Sequence, residues 1–325
     1  MVQQFKPILI KMSKRIVFFG TPEFASICLS KILEKKFDLV AVVTSPDSPS
    51  GRGKKITSSA VKKIAEKNNL KILQPTNLKD PDFIEKLKNL KPDIMVVVAF
   101  RMLPKVVWSL PSKGTFNLHA SLLPNYRGAA PINWVIINQE KFTGLTTFFI
   151  NDKIDAGEIL LQHRLEIDPH ENAGSLHYKL AKLGSELVCK TIYGIFDKTI
   201  TAKTQKLTGK EKSAPKLDKE NTFIDWSRSL DDINAKIKGL SPYPGAKTKF
   251  IENNKSIDIK IFEAETINKV HDFKPNQVII SNYQILVCTE KGYLKCNILQ
   301  FPNKKRMSAR DILNGRLFST KTEVN

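Results

Sequence analysis

Asn117 and His119 stand two residues apart in the run Thr115-Phe116-Asn117-Leu118-His119, where polar and apolar residues alternate after Gly114. A period of two predicts a strand, and alternate side chains of a strand leave on the same face. Asn117 and His119 would then project together, with Phe116 and Leu118 packed behind them. A neutral amide donor beside a titratable imidazole is suited to acyl transfer. The amide steadies a developing oxyanion, and the imidazole moves a proton near neutral pH. The same residue types can instead be polar groups that satisfy backbone at the end of a strand. Further on, Asp155-Ala156-Gly157 sets a carboxylate beside a glycine. By composition alone this is a turn, with the carboxylate bonded to nearby backbone amides.

The elements that would hold these residues are readable on either side. Arg15–Gly20, Leu39–Thr44 and Asp93–Ala99 are apolar runs of strand length, and helical patterns over Ala60–Asn68 and Asp82–Leu90 lie between them. Strands alternating with helices predict a parallel sheet covered on both faces, with a working site at the carboxyl ends of the strands. Thr21 is expected to cap the first helix with Pro22 at its first position. Gly20-Thr21-Pro22 reads as a strand-to-helix turn. No G-x-G-x-x-G or phosphate loop occurs, so a nicotinamide cofactor is not indicated. Thr143–Ile150 alternates as a further strand, and Ala173–Phe196 carries leucines at helical spacing.

Between the second and third apolar runs lies Ser48-Pro49-Ser50-Gly51-Arg52-Gly53-Lys54-Lys55-Ile56. It is basic and glycine-containing, as an ordinary exposed loop would be, and as contact with a phosphate backbone would require. The whole chain of 325 residues has 52 Lys plus Arg against 32 Asp plus Glu, a formal charge of +20. This balance favours a polyanion, RNA or DNA ahead of a membrane. A lysine-rich codon bias accounts for the same surplus. Cys28, Cys189, Cys288 and Cys296 form no C-x-x-C pair, so neither a disulfide framework nor a zinc site is suggested and a reducing cytoplasm is expected. No apolar run approaches the roughly 20 residues of a membrane-spanning helix. MVQQFKPILIK is short for a secretory signal and lacks a cleavage-like end. Met12 offers an alternative start, so residues 1–12 are expected to be an extension.

The length predicts two domains. Residues 13–204 form the expected catalytic domain, polar and lysine-rich 205–221 a linker, and 222–325 a second domain. In the last of these, short runs such as Lys260-Ile261-Phe262, Gln277–Ile280, Ile285–Cys288 and Leu294–Leu299 predict a small barrel. From 205 onward there are 22 basic and 14 acidic residues, a surplus of 8 that leaves 12 for the rest of the chain.

Residues 117–134, NLHASLLPNYRGAAPINW, closely resemble the signature of the 10-formyltetrahydrofolate-dependent formyltransferases, and within them the methionyl-tRNA formyltransferases. The resemblance extends over 14–317, with Leu313-Asn314-Gly315-Arg316 matching the closing motif. It implies an α/β fold, a Rossmann-like, mostly parallel sheet with helices on both faces, followed by a smaller OB-like barrel that contacts tRNA. It implies transfer of a formyl group from 10-formyltetrahydrofolate to the amino group of initiator methionyl-tRNA. The folate is a cosubstrate, no metal or membrane is needed, and the protein is expected to be a cytoplasmic monomer. Asn117, His119 and Asp155 are the implied catalytic constellation: oxyanion donor, proton carrier and orienting carboxylate. Implied folate contacts are Ser121, Leu122, Leu123, Pro124, Val98, Phe100 and the loop Asn151, Asp152, Lys153 and Ile154. Ser121 reads from the residues as backbone support. Arg52, Lys54 and Lys55 are the implied tRNA contacts. Ala156, where many methionyl-tRNA enzymes carry Thr, leans towards the glycinamide ribonucleotide branch. A transferase for a small amine, a nucleotide sugar or glycinamide ribonucleotide, would share the constellation but leave the basic loop unused. An RNA-binding protein that kept the fold without activity is the alternative of another class.

Overall fold

The computed structural model describes residues 14–50, 55–315, 318–319 and 321–325, the side chains of Ser50 and Lys55 excepted. Expectations for residues 1–12, Arg52, Lys54 and Arg316 fall outside the described residues. By contact the chain forms two compact units. One contains the described residues up to His119 with Leu145–Gln162 and Ala181–Gln205, and the other contains Ala120–Gly144, His163–Leu180 and Lys206–Asn325.

The chain begins with β1 (Ile16–Gly20), α1 (Glu23–Glu34) and β2 (Leu39–Val43). Every residue of β1 is buried, as a continuous apolar strand covered on both faces must be. Pro22 holds the N-cap position of α1 with ψ −179°, and no side chain caps the helix. The expected Thr21 cap is therefore not made. The extended ψ keeps Pro22 outside the helix, and its carbonyl accepts the Ser26 N–H at 3.1 Å. The stretch expected to be an open loop is closed at its ends by antiparallel β3 (Ser48–Ser50) and β4 (Lys55–Thr57). Next come α2 (Ala60–Lys67), capped by the Ser59 hydroxyl, β5 (Ile72–Leu73) and α3 (Pro81–Asn89), capped by Asp80. They are followed by β6 (Ile94–Val98), α4 (Lys105–Trp108), β7 (Thr115–His119) and β8 (Arg127–Gly128). Then come α5 (Pro131–Ile137), β9 (Phe142–Phe149), β10 (Ile159–Glu166) and α6 (Ala173–Phe196).

The sheet order is β10-β9-β7-β6-β1-β2-β5. The five strands from β7 to β5 are parallel, and β9 runs antiparallel to β7. Val17 and Phe19 pack with Phe83 and Leu87 of α3. On the alternate face a Cβ on Gly20 would meet Ala25 of α1 at 2.6 Å and Phe18 at 2.8 Å, so helices cover both faces. This is the mostly parallel α/β layering expected from the sequence.

The second unit is built on antiparallel strands. After β11 (Ser213–Ala214) come α7 (Leu230–Leu240), β12 (Ala246–Glu252), β13 (Lys255–Ile267), β14 (Val278–Ser281) and β15 (Gln284–Thr289). β16 (Gly292–Gln300), β17 (Met307–Ser308), α8 (Ala309–Gly315) and β18 (Glu323–Val324) complete it. The order is β14-β15-β16-β13-β12-β18, with β17 beside β16. The Gln277–Glu323 bridge and the bond from Val278 N–H to the Thr322 carbonyl (2.8 Å) join the two ends into a nearly closed barrel. Such closure removes the exposed edges of a sheet.

Two expectations change here. The run expected as the short strand Lys260–Phe262 belongs to a thirteen-residue β13, whose register against β16 shifts between Ile261 and Ala264. Extra residues at such bulges bend a strand, so one long strand turns the corner of the barrel. α7 was not expected. Ser229 caps it, and Leu230, Ile233, Ile237 and Leu240 are buried along one face. Just before the stretch read as a linker Lys203 pairs with Ile159, and within it β11 pairs with β8. Gly128, at φ +127°, permits that second pairing, since a Cβ there would lie 2.3 Å from the Ala214 carbonyl oxygen.

Candidate active site

β7 lies between β6 and β9, with Asn117 level with Val97 on one side and Phe148 on the other. His119, the last residue of the strand, is 6% exposed, and Asn117 is half-buried. The sequence therefore delivers both side chains to one strand, two positions apart, where the parallel sheet ends.

Asp155 arrives by a different route. β9 is antiparallel to β7, so its last residue, Phe149, is level with Phe116 near the start of β7. The loop beyond must run back along the sheet by about three residues of strand, roughly 10 Å. It does so: His119 Nδ1 and Asp155 Oδ2 lie 3.7 Å apart, with side chains 7% and 15% exposed. This is ion-pair distance, slightly longer than a hydrogen bond. Asp155 has φ +49°, the left-handed region that non-glycine residues seldom occupy. Such conformations persist where surrounding structure over-determines them, and they concentrate at functional sites.

Two contacts fix the loop. Gly157 sits so close to the Phe149 carbonyl that an added Cβ would come within 1.6 Å of its oxygen. The side-chain amide of Gln205 donates to the carbonyl oxygens of Asp155 (2.9 Å) and Gly157 (2.8 Å). The sequence reading missed Gln205, which lies in a polar stretch with no local signal. The glycine of Asp-Ala-Gly was visible, but its closeness to β9 was not.

Other expected site residues have definite places. Val98 is fully buried in β6, and Phe100 packs edge-on against Phe19 at 5.6 Å. Asn151 accepts the Lys153 N–H at 2.9 Å, and Ile154 is 63% exposed. Asp152 is exposed, 3.9 Å from Lys105. These belong to the same unit as Asn117, His119 and Asp155, whereas Ser121, Leu122, Leu123 and Pro124 belong to the other. Ser121 is fully buried, and its hydroxyl donates to the Asn125 carbonyl at 2.6 Å, the backbone support its residue type suggested. Leu123 is buried and Pro124 half-buried, and Leu122 packs over Gly144. Lys55 opens β4. Among the described residues no three His, Cys, Asp or Glu side chains cluster to hold a metal ion, and no helix is long and apolar enough to cross a membrane.

A half-buried amide and an imidazole–carboxylate pair on the rim of a parallel sheet can stabilise an oxyanion and carry a proton, without a nucleophile on the protein. Comparison with known proteins shows the family. Residues 14–192 match the family described as Formyl transferase, and residues 216–317 match Formyl transferase, C-terminal domain. The methionyl-tRNA formyltransferase of Flavobacterium johnsoniae is 50% identical over 310 residues, covering 95% of this chain and 98% of that protein. That of Clostridium tetani is 45% identical, covering 93% of this chain and 96% of its own. Among solved structures, WlaRD, a sugar 3N-formyl transferase crystallised with dTDP and 5-N-formyl-THF, aligns with a TM-score of 0.64 at 22% identity over 90% of this chain and 99% of its own. HypX from Aquifex aeolicus, in complex with tetrahydrofolic acid, aligns at 0.63 and 16% identity over 93% of this chain and 47% of its own. These last two likenesses are of fold. By sequence over both of its parts, the chain belongs to the formyl transferase family, alongside the methionyl-tRNA formyltransferases.

Proposed function

We propose that the chain transfers the formyl group of 10-formyltetrahydrofolate to the amino group of methionine esterified to initiator tRNA. The amine nitrogen forms a bond to the formyl carbon, the bond from that carbon to N10 breaks, and the amine proton ends on N10. The products are N-formylmethionyl-tRNA and tetrahydrofolate. Asn117 donates to the oxygen that gains charge as the carbon becomes tetrahedral, and His119 takes the amine proton and passes it towards N10. Asp155 orients His119. Val98, Phe100 and Asn151–Ile154 contribute to the folate site. The observation that carries this reading is the 3.7 Å approach of His119 to Asp155 beside Asn117, in a chain 50% identical over 95% of its length to a methionyl-tRNA formyltransferase.

The same reading gives tRNA contacts to Arg52, Lys54 and Lys55 and to the basic domain of residues 222–325, reached from the catalytic domain of 13–204 through 205–221. It also makes the protein a cytoplasmic monomer. The test is formylation of charged initiator tRNA, run beside an amino nucleotide sugar and glycinamide ribonucleotide. Formylation of the tRNA alone is expected. Turnover of a small amine with none of methionyl-tRNA overturns the reading.

A further inference from the structure

The geometry points to Gln205 as a positioning residue for this reaction, holding the backbone of the Asp155 loop so that the carboxylate stays beside His119. The inference rests on the roles just proposed for Asn117, His119 and Asp155. Asp155 combines a left-handed φ of +49° with a carboxylate aimed at a buried imidazole 3.7 Å away. Aspartate enters that region more readily than most residues, but without the freedom of a glycine, so the conformation still carries a cost that contacts must offset. Gln205 is placed to offset that cost from outside the loop.

Its amide nitrogen donates to the carbonyl of Asp155 at 2.9 Å and to that of Gly157 at 2.8 Å, one hydrogen for each. Two carbonyl acceptors also fix which end of the amide faces the loop. Gln205 is 9% exposed, so these bonds are largely shielded from water. Its own position is anchored two residues earlier, where Lys203 and Ile159 exchange backbone bonds at 2.7 and 2.8 Å. The clamp thus joins the segment after α6 to both ends of the Asp155-Ala156-Gly157 turn, on the side where Gly157 already presses against Phe149. Removing the donors frees the Asp155 peptide to leave the left-handed region, and the carboxylate moves with it.

The experiment is a double-mutant cycle with Asp155→Ala. Gln205→Ala, Gln205→Met and Gln205→Glu are each measured for formylation of methionyl-tRNA and for thermal melting. The Met variant fills the space if the Ala variant does not fold. All three are expected to lose roughly 10–100-fold in kcat, the scale of an ångström-sized misplacement, with KM for the tRNA unchanged within about twofold. In the Asp155→Ala background, Gln205→Ala is expected to change kcat by less than about twofold, because its effect acts through a carboxylate no longer present. Full activity in Gln205→Glu, which has the same shape but no donors, overturns the inference. So does a loss that repeats undiminished in the Asp155→Ala background. If Asp155→Ala alone keeps full kcat, the reading of the site fails, and the role of Gln205 falls with it. Asp155→Ala inactive with Gln205→Ala fully active would reject the clamp alone.

Discussion

Asp155 reaches to 3.7 Å from the imidazole of His119, although the strand leading to it ends level with Phe116, at the far end of β7. The carboxylate is therefore brought back along the sheet by its loop. If it serves to orient His119, Asp155→Asn should keep the shape of the loop and lose the charge. Turnover should fall by about 10²-fold, within the range of general acid–base assistance, while folate affinity changes little. Steady-state formylation with folate binding measured in parallel checks this. Wild-type turnover would remove Asp155 from the mechanism.

Asn117 is half-buried on the same strand, two positions before His119. Loss of an oxyanion donor costs on the order of 10²–10³ in turnover. Asn117→Ala should show that loss with tRNA affinity intact, measured by filter binding. A variant that binds tRNA poorly but turns over normally when saturated would make Asn117 a binding residue instead.

Gly157 has no room for a side chain, because a Cβ would lie 1.6 Å from the Phe149 carbonyl oxygen. Main chain cannot escape by changing rotamer, so Gly157→Ala must move β9 or the loop. Such overpacking costs at least about 1–3 kcal/mol, enough to lower Tm by several degrees. Calorimetry is the check, and formylation should fall with it, since the same turn carries Asp155. An unchanged Tm would mean the loop shifts freely.

Glu140 accepts hydrogen bonds from Lys212 Nζ (2.7 Å) and the Tyr126 hydroxyl (2.6 Å). Burial pushes its carboxyl up, but these two bonds outweigh burial and hold it below the usual carboxylate range. A depressed carboxyl stabilises the fold above its unfolded value, about 4.3, and that contribution is lost as pH falls through the folded value. Glu140→Gln should therefore melt earlier than wild type at pH 7, and the gap should close towards pH 3. A gap independent of pH would assign the loss to packing.

All four cysteines are buried and free. Burial pushes the thiols of Cys189 and Cys288 up to about 11 and that of Cys296 to about 12, with Cys28 higher still. Thiolate is the reactive form, so the folded protein should resist iodoacetamide at pH 8. All four should react after denaturation. Rapid labelling of any one in the folded state would show a local opening at that site.

Local pattern settled much of this protein. Alternation placed Asn117 and His119 on one strand, leucine spacing marked α6 from Ala173 to Phe196, and continuous apolar runs gave the parallel sheet. The signals for α7 were also present, a Ser229 cap and Leu230, Ile233, Ile237 and Leu240 at helical spacing. They lay among residues whose short apolar runs suggested only strands. Each of these features is written within a single run of neighbouring residues, because caps, turns and burial faces depend on local geometry.

What only the tertiary structure decided lies between distant residues. The family resemblance supplied Asp155 as the partner of His119, but the route to it required the antiparallel register of β9 against β7. Gln205 acquired meaning through two carbonyls 48 and 50 residues away. The barrel closed through Gln277 and Glu323, at opposite ends of its strand order. Register and closure follow from the summed packing of whole faces, and no short window of sequence contains that sum.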